Sequence, residues 1–332
     1  MSDLLPRLPA LPIPPLNDPA SQPGFPLLPP LPPPLAPLPP QRPRVWPVFV
    51  AVAMVVPIMF IAWLIAFAVW FAINSSTSAT SQPDAQARVQ DALKQPMLLI
   101  PVLAVIEIGI GGIALCGAAL SPQKLRARLA LNPATAGWLP MIFLPIATLG
   151  GGAAAMSLVQ LAGIHANQGT NQIISDLAHN SSPAQFALLI FMASLFPALS
   201  EELLFRGYAQ TRLIARWGAK WGIALAAIMF GLIHMDPVQT PDMILLGCYL
   251  GWVAYRTGST RTSILCHLIN NAVAVGLAFL RPDSPEDARA ATTPQKLIML
   301  AVGLAICTLF SWLAVKFLPR RAAAAVSLLS AR

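Results

Sequence analysis

The sequence predicts an all-α integral membrane protein: eight transmembrane helices preceded by a disordered proline-rich tail. Three observations carry that expectation. Of 332 residues, 56% are hydrophobic and only 10% charged, against about 25% charged in an ordinary soluble domain, and the mean hydropathy is +0.66. The apolar residues gather into eight runs, and an open chain in lipid satisfies its backbone only as helix. The prolines divide the chain, with 17 of the 34 inside the first 44 residues. So few charges cannot clothe a soluble enzyme of this length, and so much apolar surface excludes a wholly disordered chain.

Taken in order, residues 1–44 are leucine–proline low complexity. Proline fixes φ and removes an N–H donor, so this segment favours extended polyproline II over helix. It reads as a cytoplasmic tail, and Pro40-x-x-Pro43 with Arg42 offers a motif that an aromatic-lined partner groove could take. The membrane domain is 45–332. Its runs lie at 46–73, 96–120, 137–162, 184–205, 219–235, 242–256, 261–280 and 296–318. Six of them reach the roughly 20 residues that cross a hydrocarbon core. The fifth and sixth are shorter, and they are read either as misjudged boundaries or as a hairpin. The tip of that hairpin, His234 to Asp242, is polar.

The positive residues assign sides. Arg42 and Arg44, Lys124 to Arg128, Arg206 to Lys220, Arg256 and Arg261, and Lys316 to Arg321 mark alternate connections. Basic connections stay in the cytoplasm, so both termini are expected there. The intervening connections are neutral, acidic or mixed; 163–183 has no Lys or Arg and carries His165 and His179 as surface residues. The net charge of +8 is thus a topology signal, and no nucleic-acid partner is expected. The host membrane would be the plasma or inner membrane in a prokaryote and the endoplasmic reticulum in a eukaryote. Cys116, Cys248, Cys266 and Cys307 each sit in an apolar run and read as small packing residues, not as a disulfide framework.

Ionisable residues inside spans are costly and mark function. Here they are Glu107, Glu201, Glu202, His234 and His267. In Ser200-Glu201-Glu202-Leu-Leu-Phe-Arg206, Glu202 and Arg206 are four apart and can pair on one helix face, whereas Glu201 is turned about 100° away. Phe230 and His234 share a face of the fifth span, and His267 and Asn271 share a face of the seventh. A carboxylate, two imidazoles and an amide from three helices suit hydrolysis: the acid takes a proton from water, and neighbouring donors hold an oxyanion. Glu107, beside Gly109, Gly111 and Gly112, is read as a helix-packing residue, with a place at the edge of a cavity as the other reading.

The ordered set Glu-Glu-x-x-x-Arg, Phe-x-x-x-His and His-x-x-x-Asn, over about 184–280, resembles the CPBP family of intramembrane proteases. This is the CAAX protease and bacteriocin-processing group, which includes the Rce1-type and abortive-infection proteins. The resemblance implies a helical bundle with a cavity open to the cytoplasm. It implies Glu201 as general base, His234 sharing in water activation, and His267 and Asn271 lining an oxyanion hole. Glu202, Arg206 and Phe230 would be structural supports. Substrates implied are prenylated protein C-termini, leader peptides of bacteriocins or membrane-protein segments. No cofactor is expected; the alternative is zinc on Glu201, His234 and His267, although His-Glu-x-x-His is absent. Two other functional classes compete: a catalytically silent scaffold or immunity factor of the same fold, and a transporter lined by the polar helices.

Overall fold

The computed structural model describes residues 43–74, 96–134, 137–164, 181–279 and 291–318. Tail residues 1–42, His165, His179, the charged residues between Arg281 and Arg289, and Arg320 and Arg321 lie outside the described residues.

Among the described residues the fold is all helix, with no strand. In chain order the elements are α1 (Trp46–Ala53), α2 (Val55–Asn74), α3 (Pro96–Ala119), the short α4 (Leu125–Arg128), α5 (Trp138–Leu161) and α6 (Pro183–Ile190). A π-helical segment, Phe191–Leu195, leads into α7 (Phe196–Glu202), and a second, Leu203–Gln210, leads out into α8 (Thr211–Leu232). Then come α9 (Gln239–Thr257), α10 (Thr260–Phe279) and α11 (Thr293–Phe317). Several starts follow from local chemistry. Ser182 accepts from the Gln185 N–H while the Gln185 side chain reaches back to the Ser182 N–H at 2.9 Å, and Thr292 with Gln295 repeats this reciprocal cap. Pro183 and Pro294 occupy first-turn positions, where no N–H is missed.

Among the described residues, five helical stretches are long and apolar enough to cross a membrane: 46–72, 98–119, 138–161, 183–232 and 293–317. The chain is a multi-pass membrane protein on this evidence. Two physical causes separate these five from the eight runs read in the sequence. Helices α9 and α10 are 19 and 20 residues long, but Asp242, His267, Asn270 and Asn271 dilute their apolarity. The stretch 183–232 takes in two of the eight runs, because helix continues through 206–217 where the basic residues suggested a loop. That stretch is not straight. Gly218 has φ 81° and ψ 169°, and a Cβ on Gly222 would lie 2.5 Å from the Ile214 nitrogen. Residues eight apart in a straight helix are about 12 Å apart along its axis, so the chain turns back sharply at Gly218.

Helix α5 packs against α9, α10 and most extensively α11; α3 packs against α2, α7 and the second π segment; α8 lies along α9. Closest approach is set by glycine. A Cβ on Gly303 of α11 would meet the Gly150 carbonyl oxygen of α5 at 2.7 Å. Gly247 and Gly251, one turn apart on α9, face Ala227 and Phe230, and Ile223 and Gln210. The 129–132 connection is fastened to the start of α10: Thr260 Oγ1 donates to the Leu129 carbonyl at 2.8 Å and Ser259 Oγ to the Asn132 carbonyl at 2.6 Å. Arg128 is buried beside it and donates to Thr211 Oγ1 at 2.8 Å and the Tyr208 carbonyl at 2.9 Å. Burial, with Arg212 nearby, lowers its pKa to about 10. The outer helices carry large apolar side chains in the open, such as Phe60 and Ile61 on α2 and Ile298 and Trp312 on α11. All four cysteines are free.

Candidate active site

The glutamate pair stands on α7, a seven-residue α-helix bracketed by the two π segments. Wide i→i+5 turns of this kind are rare and are frequently found at functional sites. Both glutamates are buried, Glu202 completely. The i,i+4 spacing delivers its contact: Arg206 Nη1 lies 2.8 Å from Glu202 Oε1. Arg206 Nη2 donates to the Gly247 carbonyl on α9 at 3.2 Å, and its guanidinium carbon sits 4.3 Å from the Phe230 ring centroid. One turn on, Gln210 Nε2 donates to the Gly251 carbonyl at 2.9 Å. These two links cross where the α9 glycines bring the backbones together.

Helix α10 supplies His267. Its Nδ1 lies 3.1 Å from Glu202 Oε1, and its Nε2 lies 3.8 Å from Glu201 Oε2. The carboxylate accepts from Nδ1–H, which leaves Nε2 turned towards Glu201. The second distance is a contact, longer than a hydrogen bond. His267 thus stands between the two acids, one on each ring nitrogen. Glu107, Glu202 and Arg206 are within electrostatic reach of Glu201.

Phe230 joins the second histidine to this group. Its buried ring meets Phe205, His234 and His267 edge to face, at centroid distances of 5.3, 5.3 and 5.9 Å. His234 stands beyond the end of α8, in the non-helical stretch 233–238, and not within a span as its sequence position suggested. The helix stops there because Met235 has φ 49° and Pro237 has no N–H to continue it. The polar tip is built by Asp236, whose Oδ1 accepts from the Val238 and Gln239 N–H groups at 2.7 and 3.0 Å. His234 Nδ1–H donates to the Phe230 carbonyl at 2.9 Å, which fixes Nε2 as the accepting nitrogen of the neutral ring.

Asn271 shares a face of α10 with His267 but has a different partner. Its Nδ2 donates to the Ala193 carbonyl in the first π segment at 3.3 Å, using one of its two amide hydrogens. The structure therefore brings Glu201, Glu202, Arg206, Phe230 and His267 into one connected group. His234 is attached through Phe230, and Asn271 lies one turn along α10. Among the described residues no three or more His, Cys, Asp or Glu side chains form a group that could hold a metal ion; Glu201, His234 and His267 are not drawn together in that way.

Two features were missed by sequence reasoning. The Gly247-x-x-x-Gly251 spacing was visible as a close-approach motif. Ser200 was not, because its partner is Glu107, 93 residues away.

Residues 183–273 match the family model described as type II CAAX prenyl endopeptidase Rce1-like, in agreement with the family group that the ordered motifs resemble. The matched stretch runs from the start of α6 into α10 and contains every site residue named above except Glu107. No curated protein and no solved structure matches the chain.

Proposed function

We propose that the chain is an intramembrane endopeptidase of the CAAX type, hydrolysing a peptide bond with a water activated by Glu201 and His234. The observation that carries this reading is the arrangement around His267: one ring nitrogen on Glu202 at 3.1 Å, the other facing Glu201 at 3.8 Å. One acid is committed to Arg206 and His267, and the other is left for chemistry. The match of 183–273 to an endopeptidase family supports the same reaction class.

In this reading Glu201, as carboxylate, takes a proton from water, and the oxygen attacks the peptide carbonyl. His234 Nε2 accepts a hydrogen bond from the same water and orients it. The second amide hydrogen of Asn271 donates to the oxyanion of the tetrahedral intermediate, and His267 adds a second donor there from Nε2–H in the form of the ring that carries a hydrogen on both nitrogens, Nδ1–H staying on Glu202. The proton held by Glu201 passes to the leaving nitrogen as the C–N bond breaks, giving a new carboxylic acid and an amine, which become carboxylate and ammonium once the acid's proton moves to the amine. Glu202, Arg206 and Phe230 keep the helices in register and take no part in bond making. No metal ion takes part. The eight apolar runs form the bundle, with both termini and the open end of the cavity on the cytoplasmic side. Substrates are prenylated protein C-termini, or leader peptides and membrane-protein segments with an apolar anchor.

The test is cleavage of a peptide library, with and without prenyl groups, by the full chain in reconstituted membranes. Glu201→Ala and His234→Ala should each lose activity by about 100-fold or more. Cleavage at the wild-type rate by both variants would sink the assignment. A strong chelator should leave the rate unchanged; loss that zinc restores would replace glutamate chemistry with metal chemistry.

A further inference from the structure

Glu107 is a buried carboxyl group that the reaction above does not use. It lies in the middle of α3, a helix outside the matched stretch. Its Oε2 is hydrogen-bonded to Ser200 Oγ, on the residue immediately before Glu201. Gly111, one turn on from Glu107, lies beside Ser200: a Cβ there would stand in ordinary contact with Ser200 Cβ, at 3.6 Å. The same Ser200 Oγ lies 2.8 Å from the Phe196 carbonyl oxygen.

Counting hydrogens orders these bonds. A hydroxyl has one hydrogen and a carbonyl only accepts. With the Ser200 hydrogen on Phe196, the contact to Glu107 is closed by a proton on the Glu107 carboxyl. Glu107 then donates to Ser200, which donates to Phe196, and a chain of two bonds ties α3 to α7.

The tie falls where it is needed. Helix α7 is bracketed by π segments, so its seven residues do not continue a regular i→i+4 ladder on either side. A general base must point at its water to within a fraction of an ångström. Neighbouring helices supply that constraint: Arg206 and His267 do so for Glu202, and the Ser200 link does so for the turn that carries Glu201.

We propose that Glu107 is a positioning residue, a neutral hydrogen-bond donor that orients Glu201 through the Ser200 hydroxyl. The proposal rests on the reading of Glu201 as the base, and the test separates the two. The full chain is assayed in reconstituted membranes as E201Q, E107A, E107Q and S200A. E201Q reads the underlying function; an active E201Q removes the base and with it anything for Glu107 to orient. With E201Q inactive, E107A should lower kcat on the order of 100-fold with KM little changed. Gln keeps the shape and a donor, so E107Q should recover at least about tenfold of that loss, and S200A should fall with E107A. E107Q as inactive as E201Q would overturn the proposal, because Glu107 would then be working as an ion. E107A at the wild-type rate would overturn it too. Infrared difference spectra of the wild type against E107Q give a readout independent of turnover and of E107A folding. A carboxylic-acid C=O band present in the wild type and missing in E107Q is expected, and its absence from the wild type rejects the neutral donor.

Discussion

The second π segment and α11 are both helical segments of a membrane protein, yet they are held in opposite ways. In Leu203–Gln210 seven residues are buried, Arg206 and Gln210 among them, and each of those two spends a polar group on a glycine carbonyl of α9. In α11 only Gly303 and Ala314 are buried; its large side chains face outward, and its one glycine, Gly303, meets α5. Lipid tails are as apolar as leucine, so a lipid-facing surface asks only for apolar residues. A segment enclosed by protein has its place fixed by directional bonds. The site was built where the directional bonds are.

The contrast can be tested by substitution, with unfolding free energy in mixed micelles as the measure. The largest effect is expected from Arg206→Ala, which leaves Glu202 buried beside His267 without its guanidinium. Breaking a buried pair from one side costs about 3–5 kcal/mol. Arg206→Lys should recover little of this, because one ammonium cannot reach both Glu202 and the Gly247 carbonyl as the fork does. Next comes Gly303→Ala, where α11 backs closely on α5. The new methyl would press on the Gly150 carbonyl at 2.7 Å and the Ala154 nitrogen at 2.9 Å, backbone atoms that cannot turn aside, at a cost of about 1–3 kcal/mol. Smallest is Ile298→Leu on the outer face of the same helix, where the side chain is 62% exposed and the change should stay within about 0.5 kcal/mol. A cost for Ile298→Leu equal to that of Gly303→Ala would show an outer face of α11 that is enclosed after all, and would break the contrast.

The parts of this architecture that sequence made legible are those with short-range causes. Apolar runs mark the helices, and the spacing of Glu202 and Arg206 anticipates their contact. What stayed hidden has long-range causes. The His267 contact with Glu202 joins residues 65 apart and that of Ser200 with Glu107 joins residues 93 apart, distances at which periodicity carries no information. Helix through 206–217 was hidden for another reason. Arg206 and the basic residues after it look like a connection, but Arg206 is buried against Glu202 and Arg212 lies over the Tyr208 ring. The two π segments leave no compositional mark, since an i→i+5 turn uses the same residues as an i→i+4 turn. His267 and Asn271 were read as one pair aimed at one place. They do share a face of α10, and their partners come from two segments, Ala193 of the first π segment for Asn271 and the glutamates of α7 for His267.

The Glu202–Arg206 pair also bears on how the chain is made. Its two members are four residues apart, so they leave the ribosome almost together and can enter the bilayer already matched. Their other partners come later: Gly247 follows Arg206 by 41 residues, and His267 follows Glu202 by 65. A growing chain carrying a lone buried glutamate at this point would have to wait for its counter-charge in lipid. By keeping cation and anion one turn apart, this segment arrives electrically balanced. Glu201 has no such partner one turn away, and His267 follows it by 66 residues.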